Sequence, residues 1–238
     1  MTGKLFKENF SLKETQCTIL SDRQQAIQAA IESIKRNRQE LELYVRANPK
    51  FLYTLKPIAA PEKPLVAKLM AVAAQKASVG PMAAVAGALA DLAVKDMKLE
   101  GCEVAVVEDG GEISAVSNRS IDVAVAAGEE PLSKRFGFRL TEFPIGIATS
   151  SGRFSHALSF GDAEAAVVFC KDATLADAAA TAVGNVVKGE DAQVGIRVGI
   201  NRGLSIEGVE GVFILFKGQV GTAGKIPRII KVDLSEQH

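Results

Sequence analysis

Apolar side chains recur at helical spacing in four parts of the chain. From residue 22 to residue 47 they return every three or four positions with charged and amide side chains between them, which predicts an amphipathic helix over 22–47. Ser21 is suited to be its N-cap, and a break is expected near Asn37. Further helices are predicted over residues 65–77, 81–97 and 174–187. The last of them is expected to be capped by Asp172 or Thr174.

Strand signals fill most of the remaining chain. Residues 4–20 alternate loosely between apolar and polar positions and predict a pair of strands. The turn Asp109-Gly110-Gly111 separates two segments rich in β-branched residues, which predicts a β-hairpin. Further strands are predicted over residues 121–126, 138–140, 145–149, 156–160, 165–170, 212–216 and 226–232.

Proline and glycine mark the connections in the first half of the chain. Three prolines between residues 51 and 64 predict an extended connector. Gly80 is expected in the left-handed conformation that ends a helix, and Pro81 in the first turn of the next. That next helix is rich in alanine and glycine, so it can pack closely on a sheet or a partner chain, or bind a phosphate at its N-terminus. Its small side chains and the zero net charge predict a homodimer.

Two helical segments resemble each other in composition. Residues 79–94 and 173–187 are both rich in alanine and each carries a single aspartate. This likeness suggests a duplicated half. We therefore predict an α+β protein with antiparallel sheets and helices on one face, built as a single domain over residues 1–238 with two halves, about 1–130 and 131–238.

Charge and composition narrow the classes of partner. Lys+Arg and Asp+Glu both number 28, so the net charge is zero and the basic surface needed to bind nucleic acid or membrane lipid is not expected. Three widely separated cysteines predict buried, reduced thiols without a disulfide framework. The N-terminal residues lack the apolar run of a secretory signal, and the longest apolar stretch is too short to cross a bilayer, so the cytoplasm is the expected location.

The densest group of side chains suited to chemistry lies between Gly146 and Gly161, directly after an apolar strand. The candidates for ligand binding are Thr149, Ser150, Ser151, Gly152 and Arg153. Hydroxyl groups, a flexible glycine and a guanidinium group suit a bound phosphate or carboxylate. An ordinary polar hairpin loop is the alternative interpretation of the same residues.

His156 lies among these hydroxyl groups and is the candidate for proton transfer, although an imidazole there can also be a metal ligand or a buried hydrogen-bonding group. Ser150 is the second catalytic candidate. A triad of Ser150, His156 and Asp177 can be drawn, but the serine lacks a Gly-x-Ser-x-Gly elbow, so a hydrolase is not favoured.

Carboxylates with a potential role in cation binding occur at two places. Asp177 and Thr181 lie four residues apart on one face of a predicted helix and can hold a hard cation such as Mg²⁺. Alternatively, the charge of Asp177 is simply favoured near the helix N-terminus. Glu108, Asp109 and Glu112 flank the glycines of the predicted hairpin and can be cation ligands, turn formers or solvated charges.

Three motifs occur in the order found in the ApbE-like superfamily, whose best-known members are magnesium-dependent enzymes that transfer FMN from FAD to a protein threonine. Residues 108–113, EDGGEI, are similar to its Gly-Gly-Asp strand turn, and residues 148–152, ATSSG, to its Thr-Ser-Gly loop. Residues 175–182, LADAAATA, resemble its Ala-Asp-Ala-x-x-Thr-Ala helix. In addition, VGPMAAVAG at residues 79–87 together with TSSG at 149–152 resembles a narrower ApbE-related family that covers nearly the whole chain.

This resemblance implies a T-fold-like architecture, in which two halves of sheet and paired helices enclose a ligand cleft, and it implies FAD or FMN and Mg²⁺ as cofactors. The residues that it places near the ligand or cation are Gly110, Gly111, Asp177 and Thr181. The chain departs from the flavin transferases at residues 155–160, where SHALSF replaces a His-x-x-Asp-Pro segment, and this departure argues against FMN transfer to protein. Glu112 stands where an aspartate is usual.

We therefore expect the chain to bind or transform a phosphorylated or carboxylated small molecule, with a flavin nucleotide as the first candidate and a transferase as the candidate class of enzyme. The alternative is a non-catalytic component that binds a ligand or partner in sulfide assimilation and homocysteine formation, a role linked to some relatives of the narrower family.

Overall fold

A computed structural model describes residues 4–124, 136–150 and 161–231 of the chain. The helices are α1 (Gln24–Ala47), α2 (Pro49–Tyr53), α3 (Leu65–Ala77), α4 (Val85–Leu99), α5 (Ala173–Gly184) and α6 (Ala192–Leu204), with a 3-10 turn at Pro81–Ala84. The strands are β1 (Phe6–Leu12), β2 (Thr15–Ser21), β3 (Ala105–Asp109), β4 (Glu112–Val116), β5 (Ile121–Ala124), β6 (Phe136–Leu140), β7 (Ile145–Ser150), β8 (Ala165–Cys170), β9 (Val209–Phe216), β10 (Gln219–Gly224) and β11 (Arg228–Lys231). The predicted α+β class is therefore confirmed.

Within the described ranges, eight strands form one antiparallel sheet in the order β1-β2-β3-β4-β7-β8-β9-β10, and three form a small sheet in the order β11-β6-β5. Within the large sheet, β1 to β4 come from the first part of the chain and β7 to β10 from the last part. In each group the helices are inserted between the second and third strands. This repeated order agrees with two halves, but the single domain with a division near residue 130 remains a prediction.

Both faces of the large sheet are buried. Successive side chains along its central strands point to opposite faces, and apolar residues occur on both. One face packs against the helices through residues such as Ala148, Val168 and Ile214. The opposite face packs on the small sheet, where the ring of Phe138 lies 4.9 Å from that of Phe169 in an edge-on arrangement. The sheet is therefore the middle layer of the fold, and side-chain direction along a strand decides which layer a residue contacts.

The first helix differs from its prediction in two details. It is continuous through Asn37, because the Asn37 side-chain amide donates to the carbonyl oxygen of Ser33 within the same helix, so the expected break is wrong. Its N-cap is Arg23 rather than Ser21. Ser21 ends β2 instead, and its hydroxyl group donates to the carbonyl oxygen of Val104 at 2.8 Å.

The connection around Gly80 also differs from its prediction. Ser78, not Gly80, has the left-handed conformation that ends α3, with φ of 55°. Gly80 is extended, and a Cβ atom there would lie 2.0 Å from the carbonyl oxygen of Thr54. Glycine is therefore required at this position by a close backbone approach. Pro81 begins a 3-10 turn, and the α-helix itself starts at Val85.

Two helices and one strand were not predicted, namely α2, α6 and β10. The connector after α1 begins with α2, whose Phe51 is buried against Tyr44. The strand predicted over residues 156–160 lies outside the described residues.

Helix α4, which carries the small side chains, packs within the chain against α1, α5 and the sheet. A Cβ atom on Gly87 would lie 2.2 Å from the carbonyl oxygen of Ala173 in α5, so the two helix backbones nearly touch. The alanine and glycine composition is thus explained by packing inside one chain. The small side chains of α4 therefore no longer support a homodimer, which remains a prediction.

Cys17, Cys102 and Cys170 are buried free cysteines, as the sequence predicted. Among the described residues no single helix is long and apolar enough to cross a membrane. The helical segments Leu65–Ala77 and Pro81–Leu99 reach the required length and composition only when taken together, with a bend of 104° between them.

Candidate functional site

The β3–β4 hairpin presents two carboxylates toward the helices. Asp109 and Glu112 are directly opposite each other at its end, flanking Gly110 and Gly111, which have φ of 70° and 119°. The positive φ values explain both glycines as turn residues. Asp109 is buried and accepts a hydrogen bond from the backbone N–H of Gln16 at 3.1 Å. Like charges facing each other across two strands are unfavourable, and the charge of Asp109 contributes to the raised pKa of Glu112.

Glu108 is the third acidic residue of this turn, and it is separated from the other two. Side chains alternate along β3, and Val106 belongs to the core beneath the small sheet whereas Val107 belongs to the core beneath the helices. Glu108 therefore lies on the side of Val106, away from Asp109. Of the three carboxylates considered from the sequence, two share the helix face.

Asp177 reaches the same region from α5. Its Oδ2 atom accepts a hydrogen bond from the backbone N–H of Gly87 at 3.0 Å, within the first turn of α4. A carboxylate at this position satisfies a backbone donor and is favoured by the positive end of the helix. The N-terminus of α4 is thus capped by protein, which argues against the phosphate that the sequence allowed there.

Burial and neighbouring negative charge perturb both carboxyl groups. Burial, followed by the charges of Asp109 and Asp91, raises the pKa of Asp177 to about 7, although its bond from Gly87 acts in the opposite direction. Burial and then the charge of Asp177 raise the pKa of Glu112 well above its ordinary value. The pair formed by Glu112 and Asp177 therefore holds a proton or attracts a cation more readily than two isolated carboxylates.

The end of β7 brings one of two predicted hydroxyl residues to this face. Ala148 packs beneath the helices and Ile147 on the opposite side, so alternation places Ser150 on the helix face and Thr149 on the other. Ile113 of β4 pairs with Ile147, which puts Ala148 beside Glu112. Ser150 is the next residue on that face, whereas Thr149 is directed away from it.

The other residues proposed for the loop, Ser151, Gly152, Arg153 and His156, lie outside the described residues. The glycines that bound this region have packing roles. Gly146 lies under the first turn of α5, since a Cβ atom there would be 2.0 Å from the carbonyl carbon of Asp172. Gly161 lies against the end of α5, where a Cβ atom would be 1.8 Å from the carbonyl oxygen of Gly184.

Thr181 lies one helical turn beyond Asp177 and is partly exposed. The oxygen atoms of Asp177, Thr181 and Glu112 have the hard-donor chemistry that Mg²⁺ prefers. Within residues 4–124, 136–150 and 161–231, however, no three His, Cys, Asp or Glu side chains are grouped so that they could hold a metal ion. The described donors therefore fit the chemistry of a cation site without forming a complete protein cage.

Asp91 of α4 holds the start of α5 in place, and no sequence motif indicated this role. Its carboxylate accepts hydrogen bonds from the backbone N–H groups of Ala173 and Thr174, at 3.0 and 2.8 Å, and from the hydroxyl groups of Thr174 and Ser114. Asp172 caps the same helix through the N–H of Leu175, as predicted. The partners of Asp91 are 23 to 83 residues away along the chain, so the only local signal was a lone aspartate in an alanine-rich helix.

Comparisons with known proteins agree with the motif resemblance. A family model described as AbpE bacteria matches residues 3–201. A UPF0280 protein of Methanocaldococcus jannaschii is 36% identical over 233 residues, which cover 96% of this chain and 94% of the relative. A UPF0280 protein of Methanosarcina acetivorans is 38% identical over 236 residues, covering 98% of this chain and 92% of the relative.

Solved structures with a similar fold include two ApbE proteins. The apo form of the flavinyl transferase ApbE of Pseudomonas stutzeri aligns with a TM-score of 0.58 at 14% identity, covering 93% of this chain and 94% of that protein. The ApbE protein of Thermotoga maritima aligns with a TM-score of 0.55 at 13% identity, covering 93% and 97%. At these identities the likeness establishes the fold. The chain therefore belongs to the AbpE bacteria family together with the UPF0280 proteins, which confirms the ApbE-like membership predicted from the motifs.

Proposed function

We propose that this protein binds a phosphorylated small molecule, with a flavin nucleotide as the leading candidate, at the surface formed by the β3–β4 turn, the end of β7 and α5. The observation that carries the proposal is the pair of carboxyl groups of Glu112 and Asp177, both with raised pKa values. Titratable groups with perturbed pKa values concentrate at functional sites. Buried like charges lower the stability of a fold, so their presence indicates a role in function. The flavin transferases among the structural neighbours support a flavin as the ligand.

A phosphate cannot approach two carboxylates unless their charge is neutralised. A divalent cation would do this, since it would be held by Asp177 and Glu112 and would present its remaining positions to phosphate oxygen atoms. When bound, such a cation supplies charge neutralisation and Lewis acidity. The chain itself supplies the carboxylates and the hydroxyl groups of Ser150 and Thr181, which are suited to orient a ligand by hydrogen bonds.

Fluorescence titration of the full chain tests the proposal. FMN, FAD and riboflavin are titrated in Mg²⁺ and in EDTA, and we expect FMN or FAD to bind only with Mg²⁺ and riboflavin, which lacks phosphate, to bind weakly. Asp177→Asn should abolish the effect of Mg²⁺. Asp91→Asn is the comparison for the loss of a buried helix-capping carboxylate, because Asp91 accepts the N–H groups of Ala173 and Thr174 and is not among the proposed ligands.

Three results would contradict the proposal: no binding in either condition, equal binding of riboflavin, or equal loss of binding in the two variants. A thermal-shift screen extends the test to sulfur-containing amino-acid precursors. A ligand at a hundredfold excess over its Kd stabilises the fold by about 2.7 kcal/mol. Stabilisation by such a precursor and by none of the flavins would support the alternative role in sulfur assimilation.

A further inference from the structure

A separate cavity lies at the opposite end of β4 from the carboxylate pair. It has a volume of about 760 Å³, is open to solvent and is lined by residues of α3, α4 and the first turn of α5, together with Ser114 and Val116 of β4. Pockets of roughly 300 to 1,000 Å³ commonly hold small ligands. Glu112, Ser150 and Asp177 do not line it, so it is distinct from the candidate site described above.

The walls of this cavity are apolar. Leu69 and Val72 of α3 and Leu92 and Leu99 of α4 line it. Val72 is 39% exposed and Leu99 is 77% exposed. These apolar side chains line a concave surface and remain in contact with water. An apolar ligand that covers them removes apolar surface from water, which favours binding.

The charged residues around the cavity are predominantly basic. The lysines that line it are Lys76, Lys95, Lys98 and Lys171, against two aspartates, Asp91 and Asp172. Both aspartates are already engaged as acceptors for the N-terminal N–H groups of α5. Lys76, Lys95 and Lys171 form no salt bridge with any residue that the structure describes. The cavity therefore combines apolar walls with an excess of positive charge.

We propose that this cavity binds an anionic amphiphile that has a single apolar chain and a carboxylate or phosphate head group. The apolar chain lies between α3 and α4 against Leu69, Val72 and Leu92. The head group lies near Lys76 and Lys171, at the end of the cavity formed by α5. Charge complementarity selects this occupant, because a neutral apolar molecule leaves the lysines unpaired and a hydrophilic anion leaves the walls exposed.

Competition with a fluorescent fatty acid tests the inference on the full chain. The probe is 11-(dansylamino)undecanoic acid, kept below its micelle concentration, and the competitors are dodecanoate, dodecyl phosphate and dodecanol. We expect saturable binding of the probe, displacement by one or both anions, and at least tenfold weaker displacement by dodecanol. The two anions distinguish a carboxylate ligand from a phosphate ligand. Absence of saturable binding, or equal displacement by dodecanol, overturns the inference.

Paired variants separate the cavity from general surface effects. Lys76→Gln combined with Lys171→Gln is expected to weaken probe binding by about tenfold, since each exposed charge pair contributes up to about 1 kcal/mol. The control is Lys188→Gln, at an exposed lysine outside the cavity. Equal weakening by the double variant and the control contradicts the proposal.

A second pair of variants tests the apolar wall. Val72→Glu should abolish probe binding, whereas Val198→Glu should not, although Val198 is 44% exposed and also helical. If Val72→Glu instead leaves the probe affinity unchanged and converts a dimer to a monomer in light scattering, a second copy of the chain covers the cavity and the inference is wrong. Asp177→Asn should leave probe binding intact, so this test is independent of the proposed flavin site.

Discussion

Asp91 and Asp177 each cap the helix that carries the other. Asp91 on α4 accepts the first two N–H groups of α5, and Asp177 on α5 accepts the N–H of Gly87 in α4. Because Gly87 has no Cβ atom, the two helices approach closely enough for both carboxylates to reach. The single aspartate that each alanine-rich helix carries is thereby given a structural role. Only Asp177 also belongs to the charged pair with Glu112.

The first prediction is that the two capping aspartates contribute unequally to the free energy of unfolding. Asp91→Asn should lower the free energy of unfolding by about 2 kcal/mol, because an amide cannot accept several buried donors and its NH₂ group opposes them. Asp177→Asn should cost less, since among the described residues Asp177 accepts only from the backbone N–H groups of Gly87 and Ala86, and the substitution also relieves repulsion with Glu112. Urea unfolding of both variants measures the difference. Equal losses would show that the repulsion is not significant.

The second prediction concerns pH. The pKa values of Glu112 and Asp177 are raised in the folded state, so the native protein binds more protons than the unfolded chain from about pH 4 upward. Their stabilising contribution is complete below the unfolded pKa and is lost as pH rises through the folded values. The free energy of unfolding should therefore fall between pH 5 and pH 8, a window that spans the folded pKa of about 7 for Asp177.

Glu112→Gln tests this assignment, because it removes one of the two charges. The variant should flatten the pH dependence and be more stable than the parent by about 1 kcal/mol at pH 8, while matching it near pH 5. Glu207→Gln, at an exposed glutamate, is the control and should keep the parent slope. A slope unchanged in Glu112→Gln would contradict the electrostatic role of the pair.

The third prediction compares two glycines inside helices. Alanine stabilises a helix by about 1 kcal/mol relative to glycine. Helix propensity therefore favours Gly87→Ala, and any loss of stability must come from steric contacts of the new methyl group. The new Cβ atom would lie 2.2 Å from the backbone oxygen of Ala173, and the helices would have to separate. Gly199→Ala meets side-chain methyl groups rather than backbone, those of Ile214 and Val187 at 2.5 Å and of Val183 at 3.5 Å, and these can shift more easily than a helix backbone. Thermal unfolding should show a much larger loss for Gly87→Ala.

How far the fold could be predicted from sequence depended on whether the signal was local. Helix α3 was predicted with its observed bounds, because its apolar periodicity and the prolines and glycine on either side are local features, although Ser78 rather than Gly80 has the left-handed conformation. Helix α6 was missed because Gly195, Gly199 and Gly203 are weak helix formers. In the structure these glycines form one face against Phe216, Ile214 and Val212 of β9, so a tertiary contact explains their presence.

For the candidate site, the sequence predicted the residues in local motifs but not those whose role depends on side-chain direction or on distant parts of the chain. The acidic hairpin and the Asp177 helix were selected from the sequence, and in the structure α5 packs against β4, where the charge of Asp177 raises the pKa of Glu112. The separation of Thr149 from Ser150 follows from strand alternation, which the loop composition did not reveal. The role of Asp91 was not predictable from the lone aspartate in its alanine-rich helix, because that role depends on a second helix that begins 82 residues later.

The last prediction uses that alternation to test which hydroxyl group contacts the ligand. Ser150→Ala should weaken flavin nucleotide binding, because Ser150 lies on the face shared by Glu112 and the helices. Thr149→Ala is the matched control one residue earlier, and it should leave binding within about twofold of the parent. Both residues are partly exposed, so the unliganded melting temperature should change little, in line with surface substitutions that cost under about 0.5 kcal/mol. Titration with FMN in Mg²⁺ measures the two affinities. Stronger loss in Thr149→Ala would place the ligand on the side of the small sheet and contradict the assigned site.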